Sequence, residues 1–420
     1  MNYVIIGNGA AAVGAVEGIR RTDKENPVTL VSNEPYRAYG RPLISNLLSG
    51  KIKEADIYLR AENFYEVQGV RPILGKRATG IDLEKNRVLL EIGDAVPFDR
   101  LLIATGGIPF IPPIRGKDGS GVYTFTTLDD AKKLAARVGK VKKAVVVGGG
   151  LIGLKAAEGL NDRGVKVTVV ELADRILSSA FDRQAGDIIE RRLREVGLEI
   201  ILNNSVEEIV RVRGRVKGVA LKSGEMVEAS DVVIAIGVVP NKAIVEGTRI
   251  ITNRGALTDE YMETNVAGVY AAGDVVEPTD LLLGQRRVTP IWPNAYIQGK
   301  FAGMNMAGSR KSYGGSIPMN SIEFYGIPTV SIGVSNPPGE GYEVRTSGDP
   351  AENVYRKIVF KDDRLVGAVL VGRIEKAGVL TGLIADRVDV GAFKDELLEG
   401  DFGFVRIPVE TRRRILAVAR

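Results

Sequence analysis

Gly148-x-Gly150-x-x-Gly153 lies in the stretch VVVGGGLIGLKAAEGL, where three β-formers run into the glycines and a helix-like pattern leaves them. A strand that turns through glycines into a helix can hold a dinucleotide. The first glycine makes the turn, the second lets a pyrophosphate reach the backbone and the third brings helix against strand, so the phosphates meet the helix N-terminus. Glu171 ends the next strand about 20 residues on, where the fingerprint places an acceptor for the ribose hydroxyls. That carboxylate also discriminates between nucleotides. At about 4 Å from a 2′-phosphate it would cost at most roughly 4 kcal/mol per unit charge at an effective dielectric of 20, which favours NADH over NADPH.

The same turn opens the chain. In YVIIGNGAAAVGA, Gly7-x-Gly9-x-x-Ala12 has alanine in the third place, which the fingerprint tolerates, and Glu34 follows Gly9 by about 25 residues as its candidate ribose acceptor. A third element, VYAAGDV, puts Asp274 after a strand and Gly273, where a carboxylate could accept a hydrogen bond from a polyol. A turn or cap aspartate is the ordinary reading of such a pair.

These residues need sheets and helices to hold them. A buried strand over 2–6, a helix over 10–21 and a strand over 28–31 make one βαβ unit, and 142–171 repeats it. ATGGIPF at 104–110 is echoed by AIGVVPN at 235–241, as expected if one nucleotide-binding unit has been used twice. The Pro-rich passage 108–116 reads as a linker, and 295–307 as a helix. Strands near 319–333, 354–360 and 365–371, with a hairpin signal at KDDRL, read as a separate α+β part. The fold class expected is α/β, with two Rossmann-like three-layer ββα nucleotide-binding domains and a C-terminal α+β domain. The boundaries expected are 1–110 with 245–315, then 111–244, then 316–420.

Length supports more than one core, since the chain has 420 residues. Composition adds two exclusions. With no cysteine the chain can neither form a disulfide nor ligate an iron–sulfur cluster through thiolates, and with no histidine it lacks the commonest general base and metal ligand. Demanding chemistry must then come from a bound cofactor, and no metal site is read. The net charge of +5 is spread among mixed-sign residues, which argues against nucleic acid. The N-terminus enters a strand at once and no apolar run is long enough for a membrane span, so a cytoplasmic location is the expectation.

Taken in order, Gly7/Gly9/Ala12, ATGG at 104, the Gly148 fingerprint, AIG at 235 and AAGD at 271 resemble the two-dinucleotide-binding-domain flavoproteins of the FAD/NAD(P)-dependent pyridine nucleotide-disulfide oxidoreductase superfamily. YGRPLIS at 39–45 and WPNAYIQGKFAGMNMAG at 292–308 are similar to the branch of rubredoxin and ferredoxin reductases, NADH oxidases and nitrite reductase flavin domains. The resemblance spans the chain. It implies FAD along Gly7, Gly9, Ala12, Glu34, Arg41, Pro42, Ala78, Gly106 and Asp274, with Trp292 near the ring, and NADH along Gly148, Gly150, Gly153, Glu171 and Gly237. Hydride would pass from nicotinamide to flavin N5, and the helix after Trp292 would turn its N-terminus to the flavin pyrimidine. Two departures stand out: there is no redox cysteine, and Lys155 stands where many relatives carry Glu, while Asn46 replaces the Lys of ferredoxin reductases. Lys155 is the candidate catalytic side chain, either attracting charge on the reduced flavin or donating to the carboxamide, with a surface helix lysine as the bland reading.

The activity implied is electron transfer between NADH and a protein redox partner: rubredoxin, ferredoxin or an iron–sulfur subunit of a larger complex. A peroxide-forming NADH oxidase and a flavin-bearing assembly subunit are the alternatives. A homodimer and a place in a hetero-oligomer are both open. The run Arg412, Arg413 and Arg414 reads as a solvated helix end, with docking of an acidic carrier as the sharper option.

Overall fold

The computed structural model describes residues 1–91, 93–399 and 402–418. The chain divides into two compact units, 1–110 with 126–136 and 237–316, and 111–125 with 137–236 and 317–420.

In the first unit, Tyr3–Ile6 is buried along its whole length, as its unbroken apolar run requires of a strand covered on both faces. It pairs in parallel with Val28–Ser32 on one side and Arg100–Ile103 on the other, Tyr3 lying opposite Val28 and Arg100. Val269–Ala271 and Val70–Leu74 complete a five-stranded parallel sheet. Parallel neighbours need crossovers, and the first is the helix Ala10–Thr22. That helix packs against the helix Trp292–Met306 at backbone distance. A Cβ added to Gly299 or Gly303 would lie 1.9 or 2.1 Å from the carbonyl oxygens of Ala11 and Ala15, and one on Gly14 or Gly18 would meet those of Tyr296 and Lys300 at 2.2 and 2.3 Å. Glycine is needed here for close approach. A three-stranded antiparallel sheet, Ala78–Asp82, Arg87–Leu90 and Ala95–Pro97, is the further β layer.

The second unit repeats the plan with Lys143–Val147 at the centre. Lys166–Val170 and Glu199–Ile201 lie on one side, and Asp231–Ile234 and Val122–Tyr123 on the other, all parallel. The helix Leu151–Asn161 makes the crossover, and Val206–Val212, Arg215–Leu221 and Met226–Glu228 form its antiparallel layer. Its C-terminal part is a five-stranded antiparallel sheet in the order Met319–Phe324, Ile327–Gly333, Arg364–Val371, Val354–Lys361, Glu343–Asp349. The KDDRL hairpin closes through Asp362 and Asp363, both at positive φ, as a tight primed turn demands.

The chain passes from one unit to the other within 108–116, between Phe110 and Ile111, but the start of that stretch is strand rather than linker. Gly107–Pro109 pairs antiparallel with Val238–Pro240, so the two repeated segments meet as one ribbon, and Phe110 N–H donates to the Gly237 carbonyl at 3.0 Å. The strand Glu343–Asp349 carries no expectation, since EVRTSGD offers little apolar alternation. Among the described residues no helix is long and apolar enough to cross a membrane.

Candidate dinucleotide sites

In the first unit, Gly7 has φ +115°, and its amide donates to Val31 at 2.8 Å, which seats the turn at the end of the central strand. A Cβ there would sit 2.0 Å from the Ala104 oxygen, so the position belongs to glycine. Gly9 caps the helix Ala10–Thr22 with no side-chain hydrogen bond and faces open space. The orphan amides of the helix's first turn are therefore available to an anion. Ala12 is fully buried.

Glu34 follows the strand Val28–Ser32. Tyr39 hydroxyl donates to its Oε2 at 2.6 Å and Arg41 forms an ion pair with Oε1. Burial pushes the Tyr39 phenol up, so it stays a donor, and its oxygen in turn accepts the Leu128 amide at 3.0 Å. Each carboxylate oxygen keeps a lone-pair direction for a further donor. Arg41 and Pro42 lie in the short 3₁₀ turn Arg41–Leu43, and Arg41 also donates to the Thr126 carbonyl at 2.8 Å. Ala78 begins its strand, half-buried. Gly106 has φ +71° and open space where a side chain would be.

Asp274 is the unusual group. It follows Val269–Ala271 and Gly273, and burial raises its pKa from 3.8 to about 6, with Arg41 pulling the other way. No described residue donates a hydrogen bond to its carboxylate. A half-buried acid with no internal hydrogen-bond donor, directly after the Gly273 turn, fits a ligand that brings its own hydroxyl donors, as the ribityl chain of FAD would. Trp292 begins the helix Trp292–Met306 and stacks on Tyr296 with ring centroids 5.9 Å apart.

The second unit holds Gly148 at φ +110°, its amide donating to Val170 at 2.8 Å. Gly150 caps the helix Leu151–Asn161 and is open, and a Cβ on Gly153 would strike the Gly148 oxygen at 2.0 Å. Glu171 is bound by backbone: Gly149 N–H donates to its Oε2 at 2.6 Å and Ala173 N–H to its Oε1 at 2.8 Å. The carboxylate thus shapes the turn as well as presenting its remaining lone pairs. Gly237, at φ +121° and open, falls in the first unit by contacts, unlike the other four residues expected along NADH.

Lys155 is not a free surface lysine. It pairs with Glu158 at 2.5 Å one turn on, donates to the Glu323 carbonyl at 3.2 Å, and lies 5.7 Å from the Phe324 ring centroid. Glu158 is itself buried, 4% exposed. Asn161 of the same helix donates to the Tyr325 hydroxyl at 2.9 Å. Asn46 uses its backbone carbonyl to close the turn after Ile44–Ser49. Arg412 and Arg413 belong to the helix Val409–Val418, and the side chain of Arg414 lies outside the described residues.

Residues 1–299 match the pyridine nucleotide-disulphide oxidoreductase family. The chain belongs to that family. Residues 318–388 match the C-terminal domain of rubredoxin NAD+ reductases. The chain is 34% identical over 99% of its length to the epsilon subunit of the NADH-dependent phenylglyoxylate dehydrogenase of Aromatoleum evansii, 97% of which is covered. It is 33% identical over 92% of its length to a Bacillus subtilis nitrite reductase, spanning 47% of that longer protein. A solved ferredoxin reductase from Rhodopseudomonas palustris superposes with a TM-score of 0.87 at 25% identity, covering 95% of this chain and 97% of that one. Members of the family use FAD and NADH, and the two open turns, one in each unit, are the features such ligands need. The chain is an NADH-dependent oxidoreductase of this family. Tyr39, which holds Glu34, and Gln298, whose Oε1 accepts the Gly273 amide at 2.8 Å, are not among the site residues expected from the sequence, although both lie in the segments YGRPLIS and WPNAYIQGKFAGMNMAG.

Proposed function

We propose that the chain carries electrons between NADH and a one-electron protein partner of the iron–sulfur kind: rubredoxin, ferredoxin or a subunit of a larger complex. The observation that carries this is a pair of dinucleotide turns, each with a bare glycine cap, in a chain that has no cysteine to receive electrons internally. The likeness to a subunit of an NADH-dependent dehydrogenase and to the rubredoxin reductase C-terminal domain supports a protein as the second partner. FAD, when bound, would supply the exchange of one hydride, carrying two electrons, for two single-electron transfers. The protein's residues bind and orient. Helix amides after Gly9 and Gly150 take the phosphates, Glu34 and Glu171 take ribose hydroxyls, and Asp274 accepts from the ribityl chain. The first turn of Trp292–Met306 offers its positive end to charge on the flavin pyrimidine. Residues 1–110 with 245–315 make the FAD part, 111–244 the NADH part and 316–420 a partner-facing part.

Anaerobic titration with NADH should bleach the flavin, and an acceptor panel should then show turnover with an iron–sulfur protein well above that with oxygen. Equal rates with oxygen would overturn the reading. In that event the second reading holds, a peroxide-forming oxidase, favoured by the same lack of cysteine and recognised by one hydrogen peroxide per NADH. Lys155, held by Glu158 and the Glu323 carbonyl, serves to position the nucleotide-binding helix rather than to donate freely.

A further inference from the structure

Gln298 is 1% exposed, on the inner face of Trp292–Met306, one residue before the glycine that touches Ala11. Its Oε1 accepts the Gly273 amide at 2.8 Å. Its Nε2 donates to Ser316 Oγ at 3.0 Å, and Ser316 Oγ, fully buried, is also 3.0 Å from the Tyr313 hydroxyl. Because a backbone N–H can only donate, the carboxamide must turn its oxygen to Gly273, and the Ser316 contact fixes its other end. Gly273 has φ +86°, and a Cβ there would crowd Ala11 Cβ at 3.1 Å, so the turn is confined on its other side as well. The next residue is Asp274, whose own carboxylate has no described donor. A fully buried glutamine is costly unless its amide does something specific.

We propose that Gln298 is a positioning residue for FAD. Through the Gly273 amide it holds the turn that aims Asp274 at the ligand's hydroxyls, with Ser316 and Tyr313 as its support. The inference rests on Asp274 being a flavin contact, as proposed above.

The test is a double-mutant cycle on FAD affinity, measured by flavin fluorescence as FAD is returned to apoprotein. Asp274→Ala should weaken binding about tenfold, the worth of a hydrogen bond to a charged group. Gln298→Met keeps volume but removes the acceptor, and should weaken binding about fivefold in the native background and less than about twofold in the Asp274→Ala background. Ser316→Ala, which frees only the far end of the amide, should act in the same direction by about twofold and guards against a Gln298→Met chain that does not fold. If the Gln298→Met and Ser316→Ala losses are equally large with and without Asp274, their role is merely structural and the inference is overturned. Unchanged affinity in Gln298→Met overturns it too. If Asp274→Ala itself leaves affinity unchanged, the flavin assignment fails rather than the coupling.

Discussion

The chain builds the same glycine turn twice and supports it in two different ways. At the first turn the third place is Ala12, fully buried, whereas at the second a Cβ on Gly153 would collide with the Gly148 oxygen at 2.0 Å. Glu34 is held by side chains, Tyr39 and Arg41, while Glu171 is held by the backbone amides of Gly149 and Ala173. The helix after the first turn is locked by glycine-to-backbone packing against Trp292–Met306. The helix after the second is tied by polar contacts from Lys155 and Asn161 to Glu323 and Tyr325. Dense apolar contact suits a site that keeps its ligand, and hydrogen bonds that water can replace suit one whose ligand comes and goes.

The largest effect should come from breaking the packed side. Gly299→Ala puts a methyl 1.9 Å from the Ala11 oxygen, where neither backbone can yield without parting the helices. We expect a loss of more than about 3 kcal/mol, read by thermal or denaturant unfolding, and a protein purified without flavin. Retention of bound FAD at native stability would show that the two helices can separate freely.

The counterpart on the second side should be milder and selective. Gly153→Ala pushes the helix off the Gly148 oxygen but leaves the first unit's contacts alone. FAD should stay bound, while the KM for NADH rises about thirtyfold, on the order of 2 kcal/mol. If FAD is lost with NADH, the two turns are not independently supported.

Asp274 separates the two sides by pH. In the unliganded chain its carboxyl sits at about 6 against 3.8 unfolded, because burial opposes its charge. The full stability contribution of the neutral group is present below about pH 4 and is lost as pH rises through 6, after which it is constant. Asp274→Asn should raise apoprotein stability by about 3 kcal/mol near pH 7.5 and leave it nearly unchanged near pH 4, with the melting temperature as readout. Glu171 differs in its partners, since the Gly149 and Ala173 amides donate to its carboxylate while none is described for Asp274. A pH-independent change at Asp274→Asn would mean that its charge is not what burial resists.

What could be read from the sequence follows the range of the interactions. The strand–glycine–helix turns at Gly7 and Gly148 are local, so spacing alone reveals them, and the Asp362-Asp363 hairpin declares itself for the same reason. The kinship of ATGGIPF and AIGVVPN is visible as repetition, yet their pairing as a ribbon depends on residues far apart in the chain. Gly14 with Gly18 and Gly299 with Gly303 carry a helical spacing whose meaning appears only when the two helices meet. Gln298 looks like any helix glutamine until the Gly273 amide is found against it. For Lys155 the sequence leaves a catalytic role and a surface helix lysine both open, because its contact with the Glu323 carbonyl comes from a residue far along the chain.

The smallest expected effect sharpens the comparison at the acidic residues. Glu171→Gln removes the charge that opposes a 2′-phosphate but also leaves one of the two amides, Gly149 or Ala173, facing an NH2 group instead of an acceptor. NADH and NADPH should therefore both lose kcat/KM from the disturbed turn, so neither value alone is informative. Their ratio is, because the disturbed turn is common to both nucleotides and the repulsion is not. We expect the preference for NADH to fall about tenfold, on the order of 1.4 kcal/mol and well inside the Coulomb bound for an exposed phosphate. Glu34→Gln, whose partners are the Tyr39 and Arg41 side chains, should leave that ratio untouched. If instead Glu34→Gln shifts it and Glu171→Gln does not, the two turns have been assigned to the wrong nucleotides.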